Sequence, residues 1–163
     1  KHTIMKTIKT LLLISFLLIA FSCSNDDSPS SVEMGIYKVV FEQSGDYQDY
    51  DVAISGGAMA NVLTVNQGTN EEAQTISLIF DSPEATLYSK EDSVFFTSGF
   101  LTSALDNATE NMQAKITIFF NNEIVYTDTI TFTPGDSYIS YTYTYDTRNS
   151  PRLSKKMIDA SPS

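Results

Sequence analysis

The chain has few of the residues on which nucleophilic and metal-dependent catalysis usually depend. Its 163 residues include one cysteine, Cys23, one histidine, His2, and no tryptophan. One cysteine cannot form a disulfide within the chain. A single histidine leaves too little for Ser-His-Asp triads, Cys-His pairs or histidine-based zinc sites. We therefore predict no catalytic residue, and the composition favours a protein that is not an enzyme.

Positive charge is also scarce. The chain has 20 Asp and Glu against 10 Lys and Arg, and its formal net charge is −10. Three of the basic residues precede position 23, so a chain cut there would keep seven basic and twenty acidic residues, a net charge of −13. A nucleic-acid-binding protein needs Lys and Arg to neutralise phosphates, so we predict no nucleic-acid partner. The length suits one domain.

The amino-terminal residues have the pattern of a secretion signal. A short basic stretch, residues 5–10, precedes eleven uncharged apolar residues, 11–21. A membrane-spanning helix needs about 20 such residues. A signal peptide has a basic start, a short apolar core and small residues before the cleavage site. We therefore predict a helical signal peptide over residues 1–22.

The position of the only cysteine refines this prediction. Residues 20–23, Ala-Phe-Ser-Cys, resemble the lipobox of bacterial lipoproteins. The resemblance implies cleavage before Cys23, a diacylglycerol on its sulfur and a further acyl chain, such as palmitate, on the new amino terminus. Two or more chains hold a protein stably on a membrane, whereas one chain binds marginally. The covalent lipid on Cys23 is therefore the predicted membrane contact.

The residues after the cysteine suggest where in the cell envelope the protein is located. Ser24, Asn25, Asp26 and Asp27 resemble the start of Bacteroidetes lipoproteins, in which acidic residues after the cysteine mark export to the cell surface. The resemblance implies an outer-membrane lipoprotein exposed on the surface, with the periplasmic face as the alternative. Because this region is rich in Ser, Asp and Pro, we predict an acylated flexible tether over residues 23–32.

The rest of the chain reads as β-structure. Apolar and polar residues alternate with the period of two typical of half-buried strands. Turn sequences separate the runs: Ser44-Gly45-Asp46, Gly56-Gly57, Asn121-Asn122 and Pro134-Gly135-Asp136. The predicted strands are 35–43, 48–55, 60–66, 74–80, 85–89, 93–100, 113–120 and 123–132, with 137–145 as a candidate ninth.

This spacing of short strands favours an all-β fold, an immunoglobulin-like antiparallel two-sheet β-sandwich over residues 33–146. One polar residue, Asp128, interrupts an apolar row, and a bulge or a strand end near Thr127 would explain it. Residues 147–163 carry four basic residues without a period of two. We predict a disordered tail there.

Three stretches support the same fold by resemblance. They are YKVVFEQSG (37–45), FFTSGFLTSA (95–104) and AKITIFFNNEIVY (114–126). They loosely resemble the β-sandwich of small exported proteins, including the MmpS-type accessory proteins of mycobacterial lipid exporters. The family's tryptophan and its glycine after the turn asparagine are missing here. The resemblance implies a sandwich fold and offers a transporter-accessory role as an alternative function.

Carboxylates supply the only candidate polar sites. Asp46, Asp49 and Asp51 surround a turn and could contribute oxygen ligands to Ca²⁺, although a solvated loop is the simpler interpretation. Glu71-Glu72 and Glu91-Asp92 could act as the paired carboxylates of a glycoside hydrolase, if a cleft brought them together. We predict no other metal site and no cofactor.

A row of aromatic residues offers a candidate ligand surface. Tyr141, Tyr143 and Tyr145 lie on one face of a predicted strand and could stack on sugars or peptides. The usual alternative is an inner face of the sandwich.

Together these features predict a lipid-anchored lipoprotein of the cell envelope with a non-enzymatic binding or structural role, in contact with protein or glycan at the cell surface. The alternatives are a periplasmic accessory subunit of an envelope transporter and a carboxylate-based hydrolase.

Overall fold

The structure is a computed structural model that describes residues 32–65, 72–136, 138–148 and 152–159, and the side chains within them outside 60–65 and 72–74. These residues form nine β-strands and one 3₁₀ turn. The elements are β1 (Tyr37–Gly45), the 3₁₀ turn (Tyr47–Asp49), β2 (Tyr50–Val65), β3 (Glu72–Ile79), β4 (Glu84–Ser89), β5 (Phe95–Ala104), β6 (Met112–Phe120), β7 (Glu123–Phe132), β8 (Ile139–Asp146) and β9 (Arg152–Asp159). Within the described residues, no helix has the length and apolar character that crossing a bilayer requires.

The strands form two antiparallel sheets that pack face to face. One sheet has the order β7-β6-β1-β4, and the other has the order β3-β2-β5-β8-β9. The long strand β2 connects them, because its first part pairs with β5 and its last four residues pair with β4. The predicted all-β two-sheet sandwich is confirmed.

Aromatic rings fill much of the space between the sheets. Tyr37 stacks on Phe96 of the other sheet with ring centroids 5.4 Å apart. Phe132 meets Phe100 edge to face at 5.8 Å. Tyr37 and Phe96 are at most 1% exposed. Burial of such rings is a main source of stability in a core of this size.

The sandwich has two ends with different contents. We call the end at which the chain enters β1 the proximal end; it contains residues 32–36, 90–94, 121–124 and 146–148. Its loops are joined by hydrogen bonds from Thr147 Oγ1 to the Glu33 carbonyl and between the backbones of Gly35 and Ser93. We call the opposite end the loop end; it contains residues 46–49, 105–111 and 133–136.

Two of the predicted turns are confirmed by backbone conformation. Asn121 and Asn122 have φ values of 50° and 67° and join β6 to β7, as a two-residue hairpin turn requires. Gly45 ends β1 with a φ of 76°, which glycine adopts without strain.

The turn predicted at Gly56-Gly57 is wrong. Both glycines lie inside β2, where Gly57 pairs with Thr75 on one side and Thr97 on the other. The single strand Tyr50–Val65 therefore replaces the two predicted strands 48–55 and 60–66. The pairing between β2 and β3 shifts register just after Gly57. The two glycines therefore mark a bulge rather than a turn.

The disordered tail predicted over residues 147–163 is corrected for the part that the structure describes, residues 147–148 and 152–159. Thr147 is buried, and Arg152–Asp159 forms strand β9 at the edge of the second sheet. It pairs with β8 along its whole length, from Asp146 opposite Arg152 to Ile139 opposite Asp159. Charged side chains are common on edge strands, where they discourage pairing with other proteins. They also obscured the strand in the sequence.

The amino-terminal predictions fall outside the described residues. These are the signal peptide over 1–22, the lipid attachment at Cys23 and the export signal of Ser24, Asn25, Asp26 and Asp27.

Candidate functional site

The first part of the candidate site is the 3₁₀ turn between β1 and β2. After Gly45 the chain turns away from β1, and the Asp46 N–H donates to the carbonyl of Asn111 at 3.4 Å. The Asp49 N–H then donates to the Asp46 carbonyl at 3.0 Å. These bonds hold Asp46 and Asp49 against the loop that follows β5.

The loop after β5 is joined to Asp49 through both its backbone and a side chain. The Leu105 N–H donates to the Asp49 carbonyl at 2.9 Å, and Asn107 Nδ2 donates to Asp49 Oδ1 at 2.7 Å. The carboxylate of Asp49 is thus held by an amide from a residue 58 positions away.

A third loop, between β7 and β8, completes this end. The Ala104 N–H donates to the carbonyl of Asp136 at 2.8 Å. The carboxylate of Asp136 accepts a hydrogen bond from the Thr133 N–H at 2.7 Å, which closes the turn around Gly135. Three loops from distant parts of the chain therefore meet at the loop end.

Tyr50 lies beneath these loops and responds to their charge. Its ring is 5% exposed, and its hydroxyl lies 2.9 Å from the Glu110 carbonyl and 3.4 Å from that of Phe132. Burial raises the pKa of Tyr50, and the negative charges of Asp136, Asp46 and Asp49 raise it further. Tyr50 is therefore held in its neutral form beneath the loop end.

The described residues of the loop end offer oxygen atoms but no compact cluster of carboxylates to a metal ion. Across the described part of the chain, no three His, Cys, Asp or Glu side chains are close enough together to hold one. The carboxylates of Asp49 and Asp136 are both engaged in hydrogen bonds. The available donors are nevertheless all oxygens, which Ca²⁺ prefers. The donor types fit calcium, but the carboxylates would have to move closer together and exchange these hydrogen bonds to hold the ion.

The residues predicted for calcium from sequence separate into two groups. Asp46 and Asp49 lie at the loop end, whereas Asp51 is exposed on the outer face of β2, opposite Ser103. Asp136 is a further carboxylate of this end, although the sequence pattern around it indicated only a turn. The contact that brings Asp136 beside the β5 loop joins residues 32 positions apart, and no local pattern signals it.

The tyrosine row is part of the core and does not form an exposed stacking surface. Tyr143 and Tyr145 are 0% and 8% exposed, and Tyr141 is half-buried against the same core. The inner-face alternative therefore describes them.

The carboxylate pairs that were candidates for hydrolysis are only partly described. Glu91 and Asp92 are exposed in the loop after β4, Glu71 lies outside the described residues, and only the backbone of Glu72 is described.

Tyr143 takes part in a second polar cluster, at the open side of the sandwich. Its hydroxyl donates to Asp128 Oδ2 of β7 at 2.8 Å, and Lys155 Nζ of β9 lies 2.5 Å from the same oxygen. Partial burial opposes ionisation of Asp128, but the bonds from Lys155 and Tyr143 prevail and lower its pKa. Asp128 thus points inward and joins the edges of the two sheets. The bulge lies at Val125, which has no partner between Tyr126 and Ile124.

The fold and the loop end define a class of protein: an antiparallel β-sandwich whose polar loops gather at one end. A family model described as "PLAT/LH2 and C2-like Ca2+-binding lipoprotein" matches residues 2–139. Because the match covers most of the chain, the chain belongs to this family. It is a lipoprotein associated with a membrane of the cell envelope.

Three solved structures share the fold. The calcium-bound form of a protein from Parabacteroides distasonis has 18% identity and a TM-score of 0.56, covering 80% of this chain and 99% of that one. A DUF4425 domain of unknown function from Bacteroides vulgatus has 16% identity and a TM-score of 0.53, covering 77% and 94%. A DUF4425 family protein from Bacteroides ovatus has 18% identity and a TM-score of 0.51, covering 80% and 100%. No curated protein matches the chain in sequence.

Proposed function

We propose that this protein is a non-enzymatic, lipid-anchored envelope lipoprotein that binds Ca²⁺ at its loop end. The observation that carries the proposal is that three loops, bearing Asp46, Asp49 and Asp136, are joined at this end by hydrogen bonds. The family description names calcium, and the related fold from Parabacteroides distasonis has a calcium-bound form.

The electrostatics of this end explain why a cation would bind. Neighbouring carboxylates repel one another, and a divalent cation replaces that repulsion with attraction to each oxygen. Asp46, Asp49 and Asp136 would hold the ion, with carbonyl groups and water as further ligands. Bound calcium would join three loops that are otherwise linked by a few hydrogen bonds, and would give this end a fixed surface for a partner.

The first test is the thermal stability of the full chain, purified in detergent, with Ca²⁺, with Mg²⁺ or with a chelator. At a Ca²⁺ concentration about 100 times the Kd, one site adds about 2.7 kcal/mol to the free energy of unfolding. Mg²⁺ should stabilise less, because it demands smaller and more regular coordination. Asp49→Asn and Asp136→Asn should lose most of the calcium effect, whereas Asp92→Asn, an exposed carboxylate at the proximal end, should keep it.

Two results would reject the calcium site. One is a parent protein whose unfolding temperature does not respond to Ca²⁺. The other is a response that Asp49→Asn and Asp136→Asn retain in full while they fold normally by circular dichroism.

The lipid anchor on Cys23 and the location of the protein at the cell surface are a further part of the proposal. The lipobox pattern supports acylation of Cys23, and Cys23→Ser should release the protein from the outer-membrane fraction. The sequence Ser24, Asn25, Asp26 and Asp27 supports export to the surface, where the partner would be a protein or a glycan. Protease added to intact cells should then remove the domain. If the domain survives until the cells are lysed, it is periplasmic, and a transporter-accessory role becomes the better proposal.

A further inference from the structure

The two ends of the sandwich differ in charge in a way that bears on how the domain meets a membrane. The loop end and the start of β2, residues 46–51, 105–111 and 133–136, contain six carboxylates and no Lys or Arg. At the proximal end the carboxylates are interspersed with cations. Arg148 pairs with Asp146, and Arg152 and Lys90 lie in the same region. An anionic bilayer surface therefore repels the loop end more strongly than the proximal end.

The proximal end also exposes aliphatic side chains on a fixed backbone. Val32, Met34 and Ile36 are 46%, 56% and 38% exposed, and Ile124 is 63% exposed. The backbone beneath them does not depend on these side chains. Ile36 donates its N–H to Asn121 Oδ1 at 3.0 Å and accepts the Asn121 N–H at 2.9 Å. We call Val32, Met34, Ile36 and Ile124 the proximal face.

The length of chain between Cys23 and the domain limits which end can touch the bilayer. Nine residue steps join Cys23 to Val32, and fully extended they reach about 30 Å. The strand β1, nine residues long, itself spans about 30 Å from the proximal end to the loop end. The proximal face can therefore reach the membrane with the connecting chain in any conformation. The loop end could reach it only with that chain fully extended alongside the domain.

We infer that the proximal face lies on the headgroup layer of the membrane that holds the lipid on Cys23, with the loop end directed away from the bilayer. This inference rests on the proposed acylation of Cys23. Aliphatic side chains buried at the level of the headgroups add to the hold of the acyl chains and restrict rotation of the domain. The calcium loops are then presented to the medium rather than to the lipid.

The test uses the acylated full chain in vesicles of phosphatidylethanolamine and phosphatidylglycerol that contain lipids with a nitroxide on the headgroup. Acylation occupies Cys23, so a second cysteine can carry a fluorophore. We would compare Ile124→Cys at the proximal face with Leu105→Cys, an exposed apolar residue of the loop end. Flotation of both labelled proteins with the vesicles, and of neither when Cys23 is also replaced by Ser, establishes the anchor.

The nitroxide lipids should quench the fluorophore at position 124 severalfold more than the one at position 105. Equal quenching, or stronger quenching at position 105, would overturn the orientation while leaving the anchor intact. If the Cys23→Ser proteins float as well as the parents, the anchor itself is wrong and the inference fails with it. Ile124→Ser, which keeps the hairpin turn, should reduce quenching at a cysteine placed at Met34, whereas Leu105→Ser should not.

Discussion

The two ends of the sandwich each carry five carboxylates, but only the proximal end also carries cations, Lys90 and Arg148. At the proximal end Tyr37 packs against Phe96, Phe120 and Tyr145, and the Tyr37 N–H donates to Ser89 Oγ. At the loop end three loops are joined by hydrogen bonds from backbone N–H groups and from the Asn107 amide. Packed aromatic rings thus lie next to the loops of the proximal end, whereas polar contacts connect the loops of the other end.

The packed rings around Tyr37 and the proposed calcium site thus lie toward opposite ends of the strands. Burial at the proximal end also holds Tyr37 in its neutral form and raises its pKa to about 12. At the loop end, Asp46, Asp49 and Asp136 lie in loops that are joined by hydrogen bonds, where calcium is proposed to bind. Sites that bind ligands commonly occupy loops that a rigid sheet holds in position.

The largest expected effect comes from emptying the proximal core. Tyr37→Ala should lower the free energy of unfolding by about 3–5 kcal/mol, because it leaves a cavity between the sheets that the neighbouring rings cannot fill. Tyr138→Ala, at a position 55% exposed near the loop end, should change it by less than about 0.5 kcal/mol. Chemical denaturation measures both. Similar losses for the two variants would remove the distinction between the ends.

Substitutions of two glycines at or next to the loop end provide a second comparison of stability. Gly45 and Gly135 both have positive φ, but a side chain at Gly45 would meet the Asn111 carbonyl oxygen at 2.6 Å, whereas Gly135 has open space around it. Gly45→Ala should therefore destabilise by about 1–3 kcal/mol and Gly135→Ala by less. Gly45→Ala should also weaken the proposed calcium binding, because this substitution moves the loop that carries Asp46. The reverse order of stability would contradict the contacts described for this end.

The cluster of Asp128, Tyr143 and Lys155 lies between the two ends of the sandwich. Substitutions there test whether the hydrogen bonds that link the edges of the two sheets contribute to stability. Asp128→Ala removes the acceptor of the buried Tyr143 hydroxyl and should lower the free energy of unfolding by about 1–2 kcal/mol. Lys155→Met should cost less, since the Tyr143 bond remains. In a double-mutant cycle the two changes should not add. Additive losses would show that Lys155 and Asp128 do not interact in solution.

The smallest expected effect is a pH dependence at the proximal end. The hydrogen bonds from Arg148 lower the pKa of Asp146 to about 2. A carboxyl group with a pKa lower in the folded state than in the unfolded chain stabilises the fold above about pH 4, and that contribution disappears as the pH falls toward 2. Arg148→Gln should flatten the stability profile in this range. Lys38→Gln, which alters a cation over the Phe119 ring instead, should leave the profile unchanged.

Much of the fold could be predicted because the alternation of residues is local. Tyr37, Val39 and Phe41 alternate with Lys38, Val40 and Glu42, and β1 buries the first three side chains. The turn at Asn121-Asn122 needs only two residues that tolerate positive φ. The strand β9 escaped prediction because its single inward apolar residue, Leu153, is surrounded by charges, so its pairing with β8 decides its structure.

The candidate site was predictable only in part, for a similar reason. Asp46 and Asp49 lie close together in sequence and were recognisable as oxygen donors. Asp136 joins them through the fold, by a backbone hydrogen bond between two loops. The inward position of Asp128 likewise depends on Lys155 and Tyr143 in the opposite sheet, which no periodicity along β7 reveals.

The most direct test of the difference between the two ends is amide hydrogen exchange of the full chain with and without Ca²⁺, followed by peptide. We expect calcium to slow exchange in residues 46–49, 105–111 and 133–136 and to leave residues 33–36, 121–122 and 146–148 unchanged. No change on adding calcium, or slowing confined to the proximal end, would contradict the assignment of calcium binding to the loop end.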